Sequence, residues 1–208
     1  MFDQKKHLYD PFLGAVEMVE VPDSNYFTLY GEGPAVLSMH FLQASLTLWK
    51  VDDCAKRILS EKTSINSCGN EFRPIEVLWW KEDNPYEGAS NAEWKWAIML
   101  RQPQIVTPAV LKKAQLMALE ENPDWSLVSS VSLTHLSEGL SLQISRKGTR
   151  AELEKVQEVL QAIAKAEHLE LTGKYHELYY ERLEAGNFGE FNTIIRVPVT
   201  EIKLFQII

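Results

Sequence analysis

A chain of 208 residues with 45% apolar and 24% charged residues is long enough to bury a sizeable core and has a globular composition. No apolar run approaches the ~20 residues that a membrane-spanning helix needs, and Met1-Phe2-Asp3-Gln4-Lys5-Lys6-His7 lacks the form of a secretory signal, so a cytoplasmic location without a membrane partner is expected. The net charge of −8 repels phosphate backbones, and the densest basic cluster, Arg146-Lys147-Gly148-Thr149-Arg150, reads as a solvated turn, so no nucleic-acid partner is expected.

In chain order, Tyr26 to Tyr30 reads as a strand that stops at Gly31 and Gly33, with Pro34 placed at the first turn of a helix. The roughly 25 residues before it are too few for a helix-turn-helix unit and its supporting helix. Leu37, Phe41, Ala44, Leu48, Val51, Ala55 and Ile58 then recur at three- and four-residue steps, the stripe of an amphipathic helix packed on a sheet. Ile75 to Trp80 and Glu93 to Leu100, separated by the turn-rich Asn84-Pro85-Tyr86-Glu87-Gly88, form a predicted hairpin. A second helix runs from Thr107-Pro108 to about Glu121. Only Cys54 and Cys68 are present, with no metal-ligand spacing, so reduced thiols, no metal and no cofactor are expected.

The later half repeats the order. Leu140 to Ile144 is a predicted strand, and Thr149-Arg150-Ala151-Glu152 has the spacing of a capping box that opens a helix with Leu153, Val156, Leu160 and Ile163 on its buried stripe. The exit is marked by Leu171-Thr172-Gly173, followed by the aromatic strand Tyr175-His176-Glu177-Leu178-Tyr179-Tyr180, a loop with Gly186 and Gly189, and a last strand through Thr193 to Pro198. Leu78-Trp79-Trp80 answers to Leu178-Tyr179-Tyr180, and Met99-Leu100-Arg101-Gln102-Pro103 to Ile194-Ile195-Arg196-Val197-Pro198, which sets Arg101 and Arg196 in equivalent places. The chain is therefore read as two degenerate repeats, about 24–122 and 126–208, whose sheets pair across a pseudo-two-fold with a concavity between them. Under that superposition Glu177 answers to Val77, so the sheet geometry does not require the acid.

Side chains on a strand alternate faces, so Tyr175, Glu177 and Tyr179 point one way and His176, Leu178 and Tyr180 the other. A carboxylate among phenol rings is either an edge group in water or one kept for a ligand. Trp79, Trp80, Trp94 and Trp96 divide between core and cleft by the same alternation, with Trp94 and Trp96 on one face. On a regular strand His176 faces away from Glu177, so a His176–Glu177 dyad is not expected, and His7, His40, His135 and His168 have no partner at motif spacing. No nucleophile elbow, phosphate loop or dinucleotide fingerprint is present.

From about Tyr26 to Val199 the order and spacing of several blocks resembles the GyrI-like small-molecule-binding family: Tyr30-Gly31-Glu32-Gly33-Pro34, Pro74 to Trp80, Trp94 to Pro103, the Glu138-Gly139 turn with Gln143, His176-Glu177-Leu178-Tyr179, and Thr193 to Pro198. The double Trp and the Trp-x-Trp followed by Arg-Gln-Pro are similar to its stand-alone branch. The resemblance implies a single α+β domain over residues 1–208, with two strand-helix-strand-strand repeats forming an antiparallel sheet around a cleft lined by aromatics. It places Glu177 at the cleft centre, with Tyr175, Tyr179, Trp79, Trp80, Trp94 and Trp96 as ligand-binding candidates. One departure stands out: where many members have His-x-Gly-Pro-Tyr, this chain has Arg146-Lys147-Gly148-Thr149-Arg150, and an arginine reaching inward would pair with Glu177 and lower its basicity.

Three functions are expected in competition. The first is stand-alone, multidrug-type binding of small aromatic, cationic or amphipathic molecules, with Glu177 as charge complement and the aromatic residues stacking. The second is a metal-independent hydrolase that opens strained, cyclopropane-bearing genotoxic compounds, with Glu177 as general base for water. The third is a protein-binding inhibitor or sequestering factor whose partner the sequence does not name.

Overall fold

The computed structural model describes residues 8–11, 13–33, 38–62, 73–80, 94–180 and 190–202. Among the sequence readings, the Pro34 helix start with Leu37, Cys68, the 84–88 turn with Glu93, and the Gly186–Gly189 loop lie outside the described residues. The fold is α+β. Strands β1 (Val16–Val21), β2 (Ser24–Glu32), β3 (Ile75–Trp80), β4 (Lys95–Gln102), β5 (Ser132–Leu136), β6 (Gly139–Gly148), β7 (Leu169–Leu171), β8 (Tyr175–Tyr179) and β9 (Phe191–Glu201) alternate with helices α1 (Met39–Lys62), α2 (Pro108–Glu121) and α3 (Arg150–Ala166). Among the described residues no helix is long and apolar enough to cross a membrane.

The local signals act as the sequence suggests. Thr107 caps α2 by accepting from the Val110 N–H at 3.3 Å, with Pro108 where a missing N–H costs nothing. Glu152 closes the start of α3, its Oε2 accepting from both the Thr149 N–H and hydroxyl at 2.8 Å.

The pairings between these strands are antiparallel, in the order β1-β6-β9-β8-β3-β4-β2-β5, with β7 added beside β9. That order is symmetric about the central β3–β8 pair: β2-α1-β3-β4 supplies one half and β6-α3-β8-β9 the other. Two edge strands absent from the sequence reading, β1 and β5, complete the ends. β1 lies within the stretch expected to precede the first strand, and its partner β6 is more than a hundred residues away, so nothing local announces it.

Two-residue links join β1 to β2 and β5 to β6 although each linked pair sits in opposite halves of the sheet. The sheet must therefore curl until its ends meet, and it has two unlike faces. One face lies under the helices, α1 chiefly over β2 and β4 and α3 over β6, β7 and β9, with the β3–β8 seam between them. The other is an inner face enclosed by the curl. A row of paired residues crosses the helix face: Val16, Ile144, Ile195, Glu177, Val77, Ile98 and Leu29. Six are aliphatic and one is an acid.

Close packing fixes the β2–β4 contact. The Trp96 indole lies over Gly31, where an added Cβ would come within 2.1 Å of the ring. Gly31→Ala is therefore expected to lower stability by roughly 1–3 kcal/mol through overpacking, read as a reduced urea midpoint. An unchanged midpoint would show that Trp96 is free to shift.

Candidate functional site

Glu177 sits at the middle of the β3–β8 seam, directly opposite Val77, and is completely buried. Its Oε2 accepts two hydrogen bonds, from the Trp79 indole N–H at 2.7 Å and the Tyr179 hydroxyl at 2.6 Å. Strand geometry makes this possible: Tyr179 is two residues along the same face of β8, and Trp79 is the diagonal neighbour on β3. Hydrogen bonds to a charged group contribute about 1.5–3 kcal/mol each, against a desolvation cost of several kcal/mol per buried ion. These two donors offset part of the cost of burying the carboxylate.

Aromatic rings surround the acid. Trp79 stacks with Phe41 of α1 at 6.0 Å and 10°, and meets Trp94 edge-on at 6.5 Å. Phe41 also meets Trp96 edge-on at 5.2 Å, and Tyr179 meets Phe191 in the same way at 5.9 Å. Tyr175 is tied to α3, its hydroxyl donating to Gln157 O at 3.3 Å and accepting from Gln161 Nε2 at 3.1 Å. The structure therefore brings Trp79, Trp94, Trp96, Tyr175 and Tyr179 to the face of Glu177. Trp80 does not join them, because it projects from the inner face, where the Lys174 ammonium lies 3.5 Å over its ring. Adjacent strand residues cannot share a face, so only one member of the Trp79-Trp80 pair can reach the acid.

Tyr175, Trp79, Trp96, Tyr179 and Glu177 all have at most 1% exposure. A cavity of about 380 Å³ lies between Gln43, Leu46 and Thr47 of α1 and Asn122 with residues 124–127 after α2. It has no lining residue on the sheet. Arg146 does not reach Glu177; it is exposed, with its guanidinium beside Gly14. The side chain of Arg150 lies outside the described residues.

The inner face carries a second constellation that the sequence did not assemble. His176, completely buried, points away from Glu177, with Nδ1 2.9 Å from Glu138 Oε2 and Nε2 3.0 Å from Glu76 Oε2. The Glu76 contact lies off the ring N–H direction and acts as an ion pair rather than a directed hydrogen bond. Arg196 donates to Gln143 Oε1 through Nε at 3.2 Å and Nη2 at 3.1 Å, and to Leu8 O at 2.9 Å, with Glu138 Oε2 3.6 Å away. Arg101 occupies a different place. Val77 pairs with Ile98 and Glu177 with Ile195, so Arg196 corresponds to Met99, and the equivalence of Arg101 with Arg196 read from the sequence is off by two residues. Arg101 instead holds Tyr9, donating to its hydroxyl with the guanidinium 5.5 Å from its ring centre. The signal for the cluster was the alternation itself: Glu76 and His176 precede Val77 and Glu177 at matching repeat positions.

Burial alone would lower the His176 pKa, but the Glu138 and Glu76 carboxylates overrule it and hold the imidazole up at about 9. Glu138 shows the reciprocal balance, burial pushing it up and the His176 and Arg196 charges bringing it below the usual carboxylate value. A raised folded pKa contributes stability that is complete below the ordinary value of 6.5 and lost as pH rises through about 9. Unfolding free energy is therefore expected to fall between those pH values in the wild type and to stay flatter in His176→Gln. Equal slopes in urea titrations of the two would contradict the assignment of charge to His176.

No family model matches the chain, and no curated protein does. Among solved structures, an uncharacterised conserved protein from Listeria innocua is similar at 26% identity and a TM-score of 0.78, covering 95% of this chain and 97% of that one. A hydrolase from Listeria innocua is similar at 26% identity and a TM-score of 0.75 over the same shares. The C-terminal domain of EcmrR, at 10% identity, covers 90% of this chain and 98% of its own with a TM-score of 0.59, a likeness of fold alone.

Proposed function

We propose that the protein is a GyrI-like small-molecule binder in which Glu177 supplies the charge complement for a flat cationic or amphipathic ligand. Trp79, Trp94, Trp96, Tyr175 and Tyr179 supply the stacking surface, each ring contact with a cation contributing roughly 0.5–2 kcal/mol. The observation that carries the reading is the contrast across the seam. On the inner face the two repeats meet as Glu76 and His176, an acid and a base 3.0 Å apart. On the helix face they meet as Val77 and Glu177, an acid set against an aliphatic side chain. His176 and Arg196 project to the inner face, away from Glu177.

A second reading, hydrolysis of a strained electrophile with Glu177 as general base, is favoured by the likeness to the Listeria innocua hydrolase. The exposed position of Arg146 supports it too, since that guanidinium does not suppress the basicity of Glu177. Titrating lipophilic cationic dyes against Trp fluorescence, with mass analysis of each compound after incubation, tests both readings. Saturable quenching with compounds recovered intact supports binding, and a product heavier by one water supports hydrolysis. Absence of quenching across the panel would rule out the binding site.

A further inference from the structure

The cavity of about 380 Å³ between α1 and the chain that follows α2 falls in the size range of small-molecule pockets. None of its lining residues belongs to the Glu177 site, so the two stand independently. Its walls are held by the fold. On one side Asn122 Oδ1 accepts from the Asp124 N–H at 3.1 Å, the Trp125 N–H donates to Asn122 O at 3.3 Å, and the Val128 N–H donates to Trp125 O at 3.1 Å. Val128 is completely buried, and Gln115 of α2 donates to both Val128 O and Val131 O at 2.9 Å. On the other side Gln43, Leu46 and Thr47 follow one another along a single face of α1. A wall fixed in this way loses little freedom when a ligand arrives.

The lining is apolar at one side and anionic at the other. Trp125 and Leu127 pack in part against the main core and turn the remainder to the cavity, which Leu46, 52% exposed, borders from α1. Among the described lining residues Asp124 is the one that carries a charge. Asn122 is the C-cap of α2, so the negative end of that helix dipole lies at the cavity, and no basic residue stands in the last turn of α2. Lys50 and Arg57 of α1 pair with Glu121 rather than with Asp124.

We propose that this cavity is a second ligand site that takes a small arylalkyl ammonium, its apolar body against Trp125 and Leu46 and its N–H groups donating to Asp124. An anion is disfavoured there by both the carboxylate and the helix end.

Following the Trp125 indole N–H by nuclear magnetic resonance, while the full chain is titrated with 2-phenylethylammonium or with neutral 2-phenylethanol, tests this. A saturable shift is expected with the ammonium, weakened about three- to fivefold in Asp124→Asn, the scale of an exposed charge pair. Glu177→Gln should leave it unchanged, which separates this site from the one under the helices. Leu46→Lys, at an exposed position, sets a resident ammonium at the cavity and should abolish the shift. No saturable shift in the wild type overturns the proposal, as do equal affinities for the two compounds or undiminished binding in Leu46→Lys. A Trp125 signal that moves with protein concentration in place of ligand marks a surface for a second copy of the chain and overturns it too.

Discussion

Replacing Arg196 by Met is expected to lower the unfolding free energy by about 3–5 kcal/mol, the cost of breaking a buried charge network by removing one partner. Arg196 is 1% exposed, and its guanidinium serves Gln143 Oε1, Leu8 O and the Glu138 carboxylate. Met fills similar volume but donates nothing, so two buried oxygens lose a donor and Glu138 keeps only His176. Against a typical total of roughly 5–15 kcal/mol, that is a large fraction, and the urea midpoint should fall accordingly. Residues 8 and 9 should also become more accessible to hydrogen exchange, because Arg196 anchors that segment. Arg101→Met, which removes only the bond to the Tyr9 hydroxyl and the contact with its ring, should cost about 1 kcal/mol. Equal effects of the two substitutions would contradict the assignment of Arg196, rather than Arg101, to the network.

Replacing Glu177 by Gln is expected to reduce affinity for a lipophilic aromatic cation at least tenfold, about 1.4 kcal/mol, while leaving stability unchanged or higher. Gln retains the shape, and its carbonyl oxygen still accepts from Trp79 Nε1 and the Tyr179 hydroxyl. It removes a charge whose burial costs free energy, the pattern of a group kept for function at the expense of stability. A purely structural carboxylate would behave in the opposite way, with the midpoint falling and cation affinity unmoved. Under the hydrolase reading, Glu177→Gln retains binding and loses turnover, because the amide cannot take a proton from water.

Much of this was legible in the sequence where the signals are local. Thr107-Pro108 and Thr149 with Glu152 announce helix starts through backbone groups within one turn. Spacing placed Val77 and Glu177 at equivalent repeat positions, and the structure pairs them directly across the seam. Register was less legible. Matching the two arginines shifted the last strands by two residues, because register follows the hydrophobic pattern and the turns and not which single residues look alike. Parity limited the Trp79-Trp80 pair, only one of which could share the face of Glu177. The inner cluster joins Glu76, Glu138, Gln143, His176 and Arg196 from four strands and a corner, and only the curl of the sheet brings Glu138 over His176. No local pattern encodes that curl.

The most direct measurement of the central claim is a cycle of four affinities: a flat lipophilic cation and its neutral isostere, each titrated calorimetrically into wild type and Glu177→Gln. Glu177 as the ligand's charge complement predicts a preference for the cation of at least tenfold in the wild type that disappears in the variant, with the neutral compound binding both alike. Equal preference for the cation in both proteins would contradict it.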